Sequence, residues 1–187
     1  MTRKLQIGVM GSMADLKYEK KAEQAAEKMG KLIAKNGGIL FFGAEKDADS
    51  LSTAACRGAK SEKGITVGVT YGKRKDVWQK DTDIIIPCGL DRGGGREFVL
   101  VLACDAVIAI SGGSGTINEL AVAYQADIPM IALKGYGGWT DELADRYFDG
   151  RKRRKVQLAT TPEEAVKLAF EGAETYRMKY DSQGSAL

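Results

Sequence analysis

The sequence predicts a doubly wound α/β fold, a three-layer structure in which helices cover both faces of a parallel sheet. Short, continuously apolar segments alternate with longer amphipathic ones, and such apolar runs are typical of parallel strands buried on both faces. Glycine accounts for 23 of the 187 residues and follows several of these runs, where strand turns into helix. The length suits one domain, which we expect over residues 1–178, with a flexible tail over residues 179–187.

The first half of the chain predicts four strands and two helices. Asp15 is placed to cap the first helix, in which apolar residues recur at three- and four-residue spacing from Tyr18 to Ile33. Asn36-Gly37-Gly38 ends this helix, because glycine adopts the left-handed conformation at little cost. We expect strands over residues 5–10, 39–42, 65–69 and 83–87, a second helix over residues 50–60, and a charged connection over residues 72–80.

The second half continues the alternation. Thr161-Pro162-Glu163-Glu164 marks the start of the last helix, since proline suits the first turn and acidic side chains favour a helix N-terminus. The patterns predict helices over residues 96–104, 115–126, 140–148 and 161–176, and strands over residues 106–110, 129–133 and 156–158. Right-handed crossovers then give a Rossmann-like sheet, and in such folds ligands bind beyond the carboxyl ends of the strands.

The composition restricts the possible chemistry. The chain contains no histidine, which excludes Ser-His-Asp and Cys-His catalytic sites and any histidine-ligated metal. The three cysteines, Cys56, Cys88 and Cys104, show no metal or redox spacing, so we expect reduced thiols, no metal site and a cytoplasmic location. Neither a signal peptide nor a membrane span is expected, because the longest apolar run, residues 98–110, is short and contains Asp105.

The net charge of +3 is unevenly distributed. The run Arg151-Lys152-Arg153-Arg154-Lys155 carries five positive charges, so the rest of the chain carries a net charge of −2. A solvated face beside a late strand is the ordinary interpretation of such a run, and a surface for a protein partner is the alternative. Nucleic-acid binding is not expected, because no further basic or aromatic cluster accompanies the run.

The most informative segment runs from Asp105 to Glu119, where an apolar strand leads through glycines directly into a helix. Glycine lets the backbone approach a ligand, and the amides of a helix N-terminus attract anions such as phosphate. The spacing fits neither a dinucleotide-binding motif, since Asn118 stands where the last glycine would be, nor a P-loop, since no lysine follows. A mononucleotide or another small phosphate remains. The expected ligand-binding residues are Gly11, Ser12, Gly43, Gly112, Gly113, Ser114, Gly115 and Thr116.

Glu119 also has a purely structural interpretation. The sequence Thr116-Ile117-Asn118-Glu119 matches a capping box, in which the threonine caps a helix and the glutamate returns a hydrogen bond to the threonine backbone. That role needs no ligand, so the spacing alone leaves both interpretations of Glu119 open.

A second glycine run, from Asp91 to Glu97, also lies between a predicted strand and a predicted helix. Arg96 falls at the start of that helix, where a cation is unfavourable unless an anion shares the site. Its planar guanidinium suits phosphate or carboxylate. We expect adjacent strands to bring both glycine runs to one edge of the sheet, and an exposed loop is the alternative.

Residues Gly112 to Glu119 resemble the GGxGTxxE motif of the Lonely Guy family, once described as possible lysine decarboxylases. Arg96 lies nine residues before Asp105, which is similar to the spacing of the family's active-site arginine. The resemblance extends from about Leu5 to Phe170 and is closer to the branch that includes molybdenum cofactor carrier proteins. It implies a homodimer or larger homo-oligomer with a small phosphorylated ligand, either a molybdenum cofactor or a nucleoside monophosphate, and no required cofactor.

Lonely Guy enzymes cleave the N-glycosidic bond of nucleoside 5′-monophosphates. The resemblance therefore implies a catalytic pair, in which Glu119 stabilises the developing sugar cation or positions water and Arg96 orients the nucleotide. The amides from Gly112 to Thr116 would hold the phosphate.

Three departures from the family pattern bear on this activity. Ser111 stands where the family usually has proline, and Glu97 stands where the hydrolases usually have lysine. The acids Glu45, Asp47 and Asp49 follow the second strand, where the hydrolases are rich in glycine. These acids favour binding of a nucleotide-like or pterin-like monophosphate, with hydrolysis of a nucleoside monophosphate as the alternative.

Overall fold

A computed structural model describes residues 3–90 and 95–181. Within these residues strands alternate with helices, as the sequence pattern predicts. The strands are β1 (Gln6–Gly11), β2 (Ile39–Gly43), β3 (Ile65–Thr70), β4 (Ile84–Pro87), β5 (Ala106–Ile110), β6 (Met130–Leu133) and β7 (Gln157–Ala159). The helices are α1 (Lys20–Lys35), α2 (Leu51–Ser61), α3 (Arg96–Leu102), α4 (Ser114–Gln125), α5 (Gly138–Leu143) and α6 (Pro162–Asp181).

The strands form one parallel sheet in the order β4-β3-β2-β1-β5-β6-β7. The chain winds outwards from β1 to β4 and then returns to place β5 on the other side of β1. In a doubly wound sheet a crevice opens at this switch point, beyond the carboxyl ends of the two central strands. The loops that follow β1 and β5 therefore flank the crevice, and the predicted Rossmann-like fold is confirmed.

Two apolar cores, one on each face of the sheet, hold the three layers together. On one face α1, α2 and α6 pack against the sheet, with Met29 and Ile108 among the buried side chains. On the other face α3 and α4 contribute Leu100 and Leu120 to a core that includes Met10 of β1. Burial of apolar surface on both sides explains why the strands read as continuous apolar runs.

The prediction that Asp15 caps the first helix is wrong. Asp15 lies in a short 3-10 turn, Ala14–Leu16, and α1 begins only at Lys20, after Glu19 at the N-cap position. Lys17, with a φ of 51°, redirects the chain between the turn and the helix. An aspartate can cap only a helix that starts directly after it, and here the backbone turns away first.

Two helix ends also differ from the prediction. Helix α5 ends at Leu143 instead of residue 148, because Ala144 is extended and Asp145 has a φ of 65°. Helix α6 continues to Asp181, past residue 178, where we placed the end of the domain. The rest of the predicted tail, residues 182–187, lies outside the described residues. The other predicted boundaries agree with the structure to within two residues.

Acidic neighbours accompany the basic run from Arg151 to Lys155. Arg151 pairs with Asp149, Arg154 Nε lies 2.9 Å from an oxygen of Asp127, and Lys155 Nζ lies 2.5 Å from an oxygen of Asp145. These pairs neutralise part of the run locally, in keeping with a solvated face.

The cysteines are free thiols, of which Cys56 and Cys104 are buried. Burial raises the pKa of the Cys56 thiol to about 11, and burial likewise raises the pKa of Cys104 well above its ordinary value. Neither thiol is therefore activated as a nucleophile at neutral pH. Across the two described ranges, no helix is both long and apolar enough to cross a bilayer.

Candidate functional site

A cavity of about 260 Å³ opens at the carboxyl edge of the sheet, at the switch point between β1 and β5. The loops after β1, β2 and β5 line it together with the first turns of α3 and α4. Most of the predicted site residues lie in its wall, namely Gly11, Ser12, Gly43, Arg96, Gly113, Ser114, Gly115, Thr116 and Glu119. Gly112 instead lines a neighbouring cavity on the other side of the same loop, beside the exposed Trp139.

The turn after β5 has an unusual backbone. Ser111 and Gly112 have φ angles of 57° and 96°, in the left-handed region that favours glycine. The hydroxyl of Ser12 accepts a 2.8 Å hydrogen bond from the Gly112 N–H and lies 2.9 Å from the hydroxyl of Ser111. Because proline is restricted to φ near −65°, the proline usual in the Lonely Guy family does not fit this turn. The turn as it stands therefore requires a residue other than proline at position 111.

The glycine-rich turn leads into α4 at Ser114, and the N-cap residue, Gly113, makes no side-chain capping bond. The first amides of a helix have no partners within the helix, so those at the start of α4 are available to an acceptor. Ser114 and Gly115 are exposed at the cavity wall. This is the electropositive arrangement predicted for an anion.

The capping-box interpretation of Glu119 is wrong. Thr116 lies within the first turn of α4 and not at its N-cap, so it cannot pair with Glu119 in that motif. The Thr116 side chain instead packs on Gly112, where a Cβ atom would lie 2.4 Å from the Thr116 hydroxyl oxygen. Glu119 lies in the wall of the cavity, although it is only 5% exposed.

Arg96 is buried at the first turn of α3 among three carboxylates. Its Nη1 donates a 3.0 Å hydrogen bond to Glu45, and its Nη2 lies 3.4 Å from Glu97 and 3.8 Å from an oxygen of Glu119. Burial disfavours the charge of Arg96, but the three carboxylates outweigh that cost and raise its pKa. The sequence predicted an anion beside Arg96, and these carboxylates of the protein are such anions.

The pKa of Glu119 rises to about 7. Burial is the largest cause, Arg96 opposes it, and the nearby Glu97 and Glu45 raise the pKa further. A carboxyl group that exchanges its proton near neutral pH is suited to acid–base chemistry, which makes Glu119 chemically distinct from an ordinary surface glutamate.

Gly43 has a structural role beside this cluster. A Cβ atom at Gly43 would lie 2.3 Å from Nη1 of Arg96. The bare backbone therefore leaves the space that the guanidinium occupies. Gly43, which we predicted to bind the ligand, thus lies against Arg96.

The two glycine runs do not follow adjacent strands, as we expected them to do. Strand β4 lies at the edge of the sheet, with β3, β2 and β1 between it and β5. Arg96 reaches Glu119 because α3 crosses the sheet and packs beside α4. The glycine run itself, residues 91–94, lies outside the described residues.

Glu45 and Glu97 are site residues that the sequence analysis treated only as departures from a family pattern. Both are buried and hold the guanidinium of Arg96. The other acids of the Glu45 loop turn elsewhere, since Asp47 is exposed and Asp49 pairs with Arg57 at 2.9 Å. The position of Glu45, two residues beyond the end of β2, is the signal that could have placed it at the site.

In the described part of the chain no acidic or cysteine cluster is arranged to hold a metal ion.

The comparisons with known proteins agree with this architecture. The chain matches the model of the SLOG cluster4 family over residues 4–166. An uncharacterized protein of Archaeoglobus fulgidus is 32% identical over 130 residues, which cover 70% of this chain and 80% of that protein.

Two solved structures extend the similarity. The molybdenum cofactor binding protein of the phototrophic bacterium Rippkaea orientalis has a TM-score of 0.78 and 30% identity, over 91% of this chain and 98% of that one. The molybdenum cofactor carrier protein of Chlamydomonas reinhardtii has a TM-score of 0.76 and 28% identity, over 92% of this chain and 99% of that one. This protein therefore belongs to the SLOG cluster4 family, within the Lonely Guy-like superfamily that includes molybdenum cofactor carriers.

Proposed function

We propose that this protein binds a nucleotide-like or pterin-like monophosphate at the carboxyl edge of its sheet, in the manner of a molybdenum cofactor carrier. The observation that carries the proposal is the N-terminus of α4, which has no side-chain cap and opens into the cavity at the switch point. The similarity to proteins named for molybdenum cofactor binding and carriage supports a pterin-type ligand.

The charges of the site favour one position for the phosphate. The side chains around Arg96 are acidic, so an anion placed there would meet Glu45, Glu97 and Glu119. The amides from Gly113 to Thr116 instead carry the positive end of the α4 dipole. We therefore place the phosphate against these amides, beside Gly11 and Ser12, and the rest of the ligand towards Arg96.

Binding experiments with and without the phosphate test the proposal. We expect a pterin phosphate or a nucleoside monophosphate to bind saturably at one site per chain, and the matching nucleoside without phosphate to bind at least about tenfold more weakly. Isothermal titration calorimetry measures both. Native mass spectrometry after anaerobic purification looks for a retained phosphorylated molecule. Absence of a retained molecule together with absence of saturable binding contradicts the proposal.

Hydrolysis of a nucleoside monophosphate is the second candidate, and the pKa of Glu119 near 7 favours it. A buried carboxyl that holds or releases a proton at neutral pH suits cleavage of a glycosidic bond. Incubation with AMP and GMP, followed by chromatography of the free base, tests this activity. Release that persists unchanged in Glu119→Gln, or no release at all, removes the enzymatic candidate and leaves the binding proposal in place.

We further propose that the protein is a cytoplasmic homodimer or larger homo-oligomer. The free thiols Cys56, Cys88 and Cys104 fit a reducing compartment. On the outer side of α3, Phe98 and Leu102 are 53% and 58% exposed, which is unusual for large apolar side chains outside an interface.

A further inference from the structure

A second cavity, of about 370 Å³, lies on the other side of the turn between β5 and α4. It shares Ser12, Leu16 and Gly113 with the cavity at the switch point, so the two cavities meet beside the start of α4. The proposed phosphate position and the cluster around Arg96 leave this second cavity unused. It is therefore a separate space within reach of a ligand whose phosphate lies at α4.

The strand order places the two cavities on opposite sides of the switch point. The first cavity includes Gly43, which follows β2, and β2 lies next to β1. The second includes Gly138 and Trp139, which follow β6, and β6 lies next to β5 on the other side. In doubly wound folds a dinucleotide lies across the crevice at this point, with its diphosphate at a helix N-terminus. The two cavities have the positions that the two ends of such a ligand require.

An indole forms part of the wall of the second cavity. Trp139 is 46% exposed, and its backbone N–H donates a 3.0 Å hydrogen bond to the Gly112 oxygen. The next residue, Thr140, donates two hydrogen bonds to the Ser111 oxygen, from its N–H at 3.1 Å and from its hydroxyl at 2.5 Å. The backbone that carries the indole is thus fixed to the turn that precedes the phosphate position. An exposed aromatic face at such a place suits stacking of a planar ring.

The rest of this wall also suits a flat ring. Gly112, Gly113 and Gly138 contribute backbone without side chains, which leaves room for a close approach. Leu16, which is 55% exposed, adds apolar surface. Glu142 adds an exposed carboxylate, which can accept hydrogen bonds from ring N–H groups or from ribose hydroxyls.

We infer that the protein binds a ligand with two ring systems joined through a diphosphate, and that the second ring stacks on Trp139. The first ring, a purine or a pterin, occupies the cavity at the switch point, which continues into a space of about 350 Å³ beside Glu97. The diphosphate lies at the start of α4, and the second nucleoside passes Gly113 into the cavity beside Trp139. Since Asn118 interrupts the glycine spacing of NAD-binding folds, the cavities and not that motif point to this ligand. This inference rests on the proposed function, because a phosphate at α4 is what brings both rings to their cavities.

Nucleotides that differ at the far end of the diphosphate test the inference on the intact protein. Diguanosine 5′,5′-diphosphate carries a second guanine, whereas GDP-mannose is a diphosphate diester of the same charge that ends in a sugar. We expect the dinucleotide to bind at least about fivefold more tightly than GDP-mannose, because stacking of a base on an aromatic side chain has an effect of about that size or larger. The adenosine pair, diadenosine diphosphate and ADP-ribose, is measured in the same way. Isothermal titration calorimetry gives the dissociation constants.

The variant Trp139→Ala removes the indole and keeps the backbone hydrogen bond to Gly112. We expect it to lower the affinity for the dinucleotide to that for GDP-mannose, and to leave the affinities for GDP-mannose and GMP unchanged. Trp139→Phe retains an aromatic face and should keep most of the difference. The matched control is Trp78→Ala, because Trp78 is similarly exposed, at 49%, between β3 and β4. It should leave every affinity unchanged, and thermal unfolding checks that the variants are folded.

Fluorescence locates the second ring independently of affinity. The chain has two tryptophans, so the variant Trp78→Phe leaves Trp139 as the single reporter. We expect the dinucleotide to quench the emission of Trp139 at saturation, because the stacked base covers the indole. GMP and GDP-mannose should leave the emission nearly unchanged.

The outcomes separate the inference from the proposed function. Equal affinity for the dinucleotide and the sugar diphosphate in both pairs overturns the inference and leaves phosphate binding in place. A Trp139→Ala variant that weakens GMP as much as the dinucleotide also overturns it, because the single ring of a mononucleotide would then occupy the second cavity. Failure of every one of these nucleotides to bind overturns the inference and contradicts the nucleotide form of the proposed function as well.

Discussion

Glu119 is a buried carboxyl beside Arg96, a cation that it shares with Glu45 and Glu97. Burial disfavours ionisation, and the other carboxylates add repulsion that Arg96 only partly offsets, so the pKa of Glu119 rises to about 7. An ordinary glutamate is fully ionised at that pH. The protonation of a single residue therefore changes the charge of the site within the physiological range of pH.

We predict that Glu119 makes a contribution to the free energy of unfolding that falls as the pH rises from 4.5 to about 7. We expect the variant Glu119→Gln to lack this pH-dependent contribution. The folded carboxyl titrates near pH 7 and the unfolded one near its ordinary value of 4.5, so the folded chain holds an extra proton between these values. The contribution is fully present below pH 4.5 and lost through pH 7, and it amounts to about 3 kcal/mol. Urea unfolding of both proteins across this range measures the difference, and parallel pH profiles would contradict the prediction.

Helix α4 and the turn before it form the element on which the phosphate proposal depends. The carbonyl oxygens of Ser111 and Gly112 accept hydrogen bonds from the N–H groups of Thr140 and Trp139, at 3.1 and 3.0 Å. Gly138 must be glycine for this contact, because its φ is 66° and a Cβ atom would lie 2.5 Å from the Gly112 oxygen. Those carbonyls are occupied by the start of α5 and the Gly112 N–H by Ser12, so the amides left for an anion in the cavity are those at the start of α4.

We predict that Gly113→Asp abolishes phosphate binding while stabilising the fold. Aspartate is a favoured N-cap residue and its carboxylate would bond the free amides of α4, which adds a few tenths of a kcal/mol to the free energy of unfolding relative to glycine and occupies the phosphate position. A Cβ atom at Gly113 meets only the end of the exposed Leu16 side chain, at 3.0 Å, so the substitution is accommodated. Thermal unfolding and calorimetry measure the two effects.

The matched control for this prediction is Gly113→Ala, which adds the same Cβ atom without a carboxylate. It leaves the amides free, so phosphate binding should persist within about threefold. If Gly113→Asp binds the phosphate ligand as tightly as Gly113→Ala, the start of α4 is not the phosphate site.

At the scale of the whole molecule, one surface groove has a lining without charged side chains. A groove between α3 and α4 is lined by apolar and neutral side chains, namely Phe98, Leu102, Asn118, Ala121, Val122, Gln125 and Ala126. Charged residues make up 28% of the chain, so a groove without any is distinctive. In a two-fold dimer the same surface meets itself, and an apolar surface without charge avoids like-charge repulsion. Asn118 lines both this groove and the cavity beside Glu97, so a partner would lie next to the site.

We predict that the protein is a dimer in solution and that Leu102→Asp converts it into a monomer. The substitution places a carboxylate at the centre of the self-contacting surface, where burial without a cation is costly. Light scattering after size-exclusion chromatography measures the mass at micromolar concentration. The control is Met178→Asp, on the exposed side of α6, which should leave the mass unchanged. A monomeric unmodified protein, or a Leu102→Asp variant of unchanged mass, refutes this interface.

The local patterns of the sequence determined the alternation of strands and helices and the glycine-rich turn into α4, whereas the catalytic roles of Arg96 and Glu119 were expected from the resemblance to the Lonely Guy family. The alternation and the turn follow from properties that a short stretch of chain carries by itself, such as the spacing of apolar residues and the conformational freedom of glycine. Only the tertiary structure decided that β4 lies at the edge of the sheet and that Glu45 and Glu119 lie beside Arg96. The physical reason is that such contacts join residues far apart in the chain, and strand order and helix packing set them rather than any local preference.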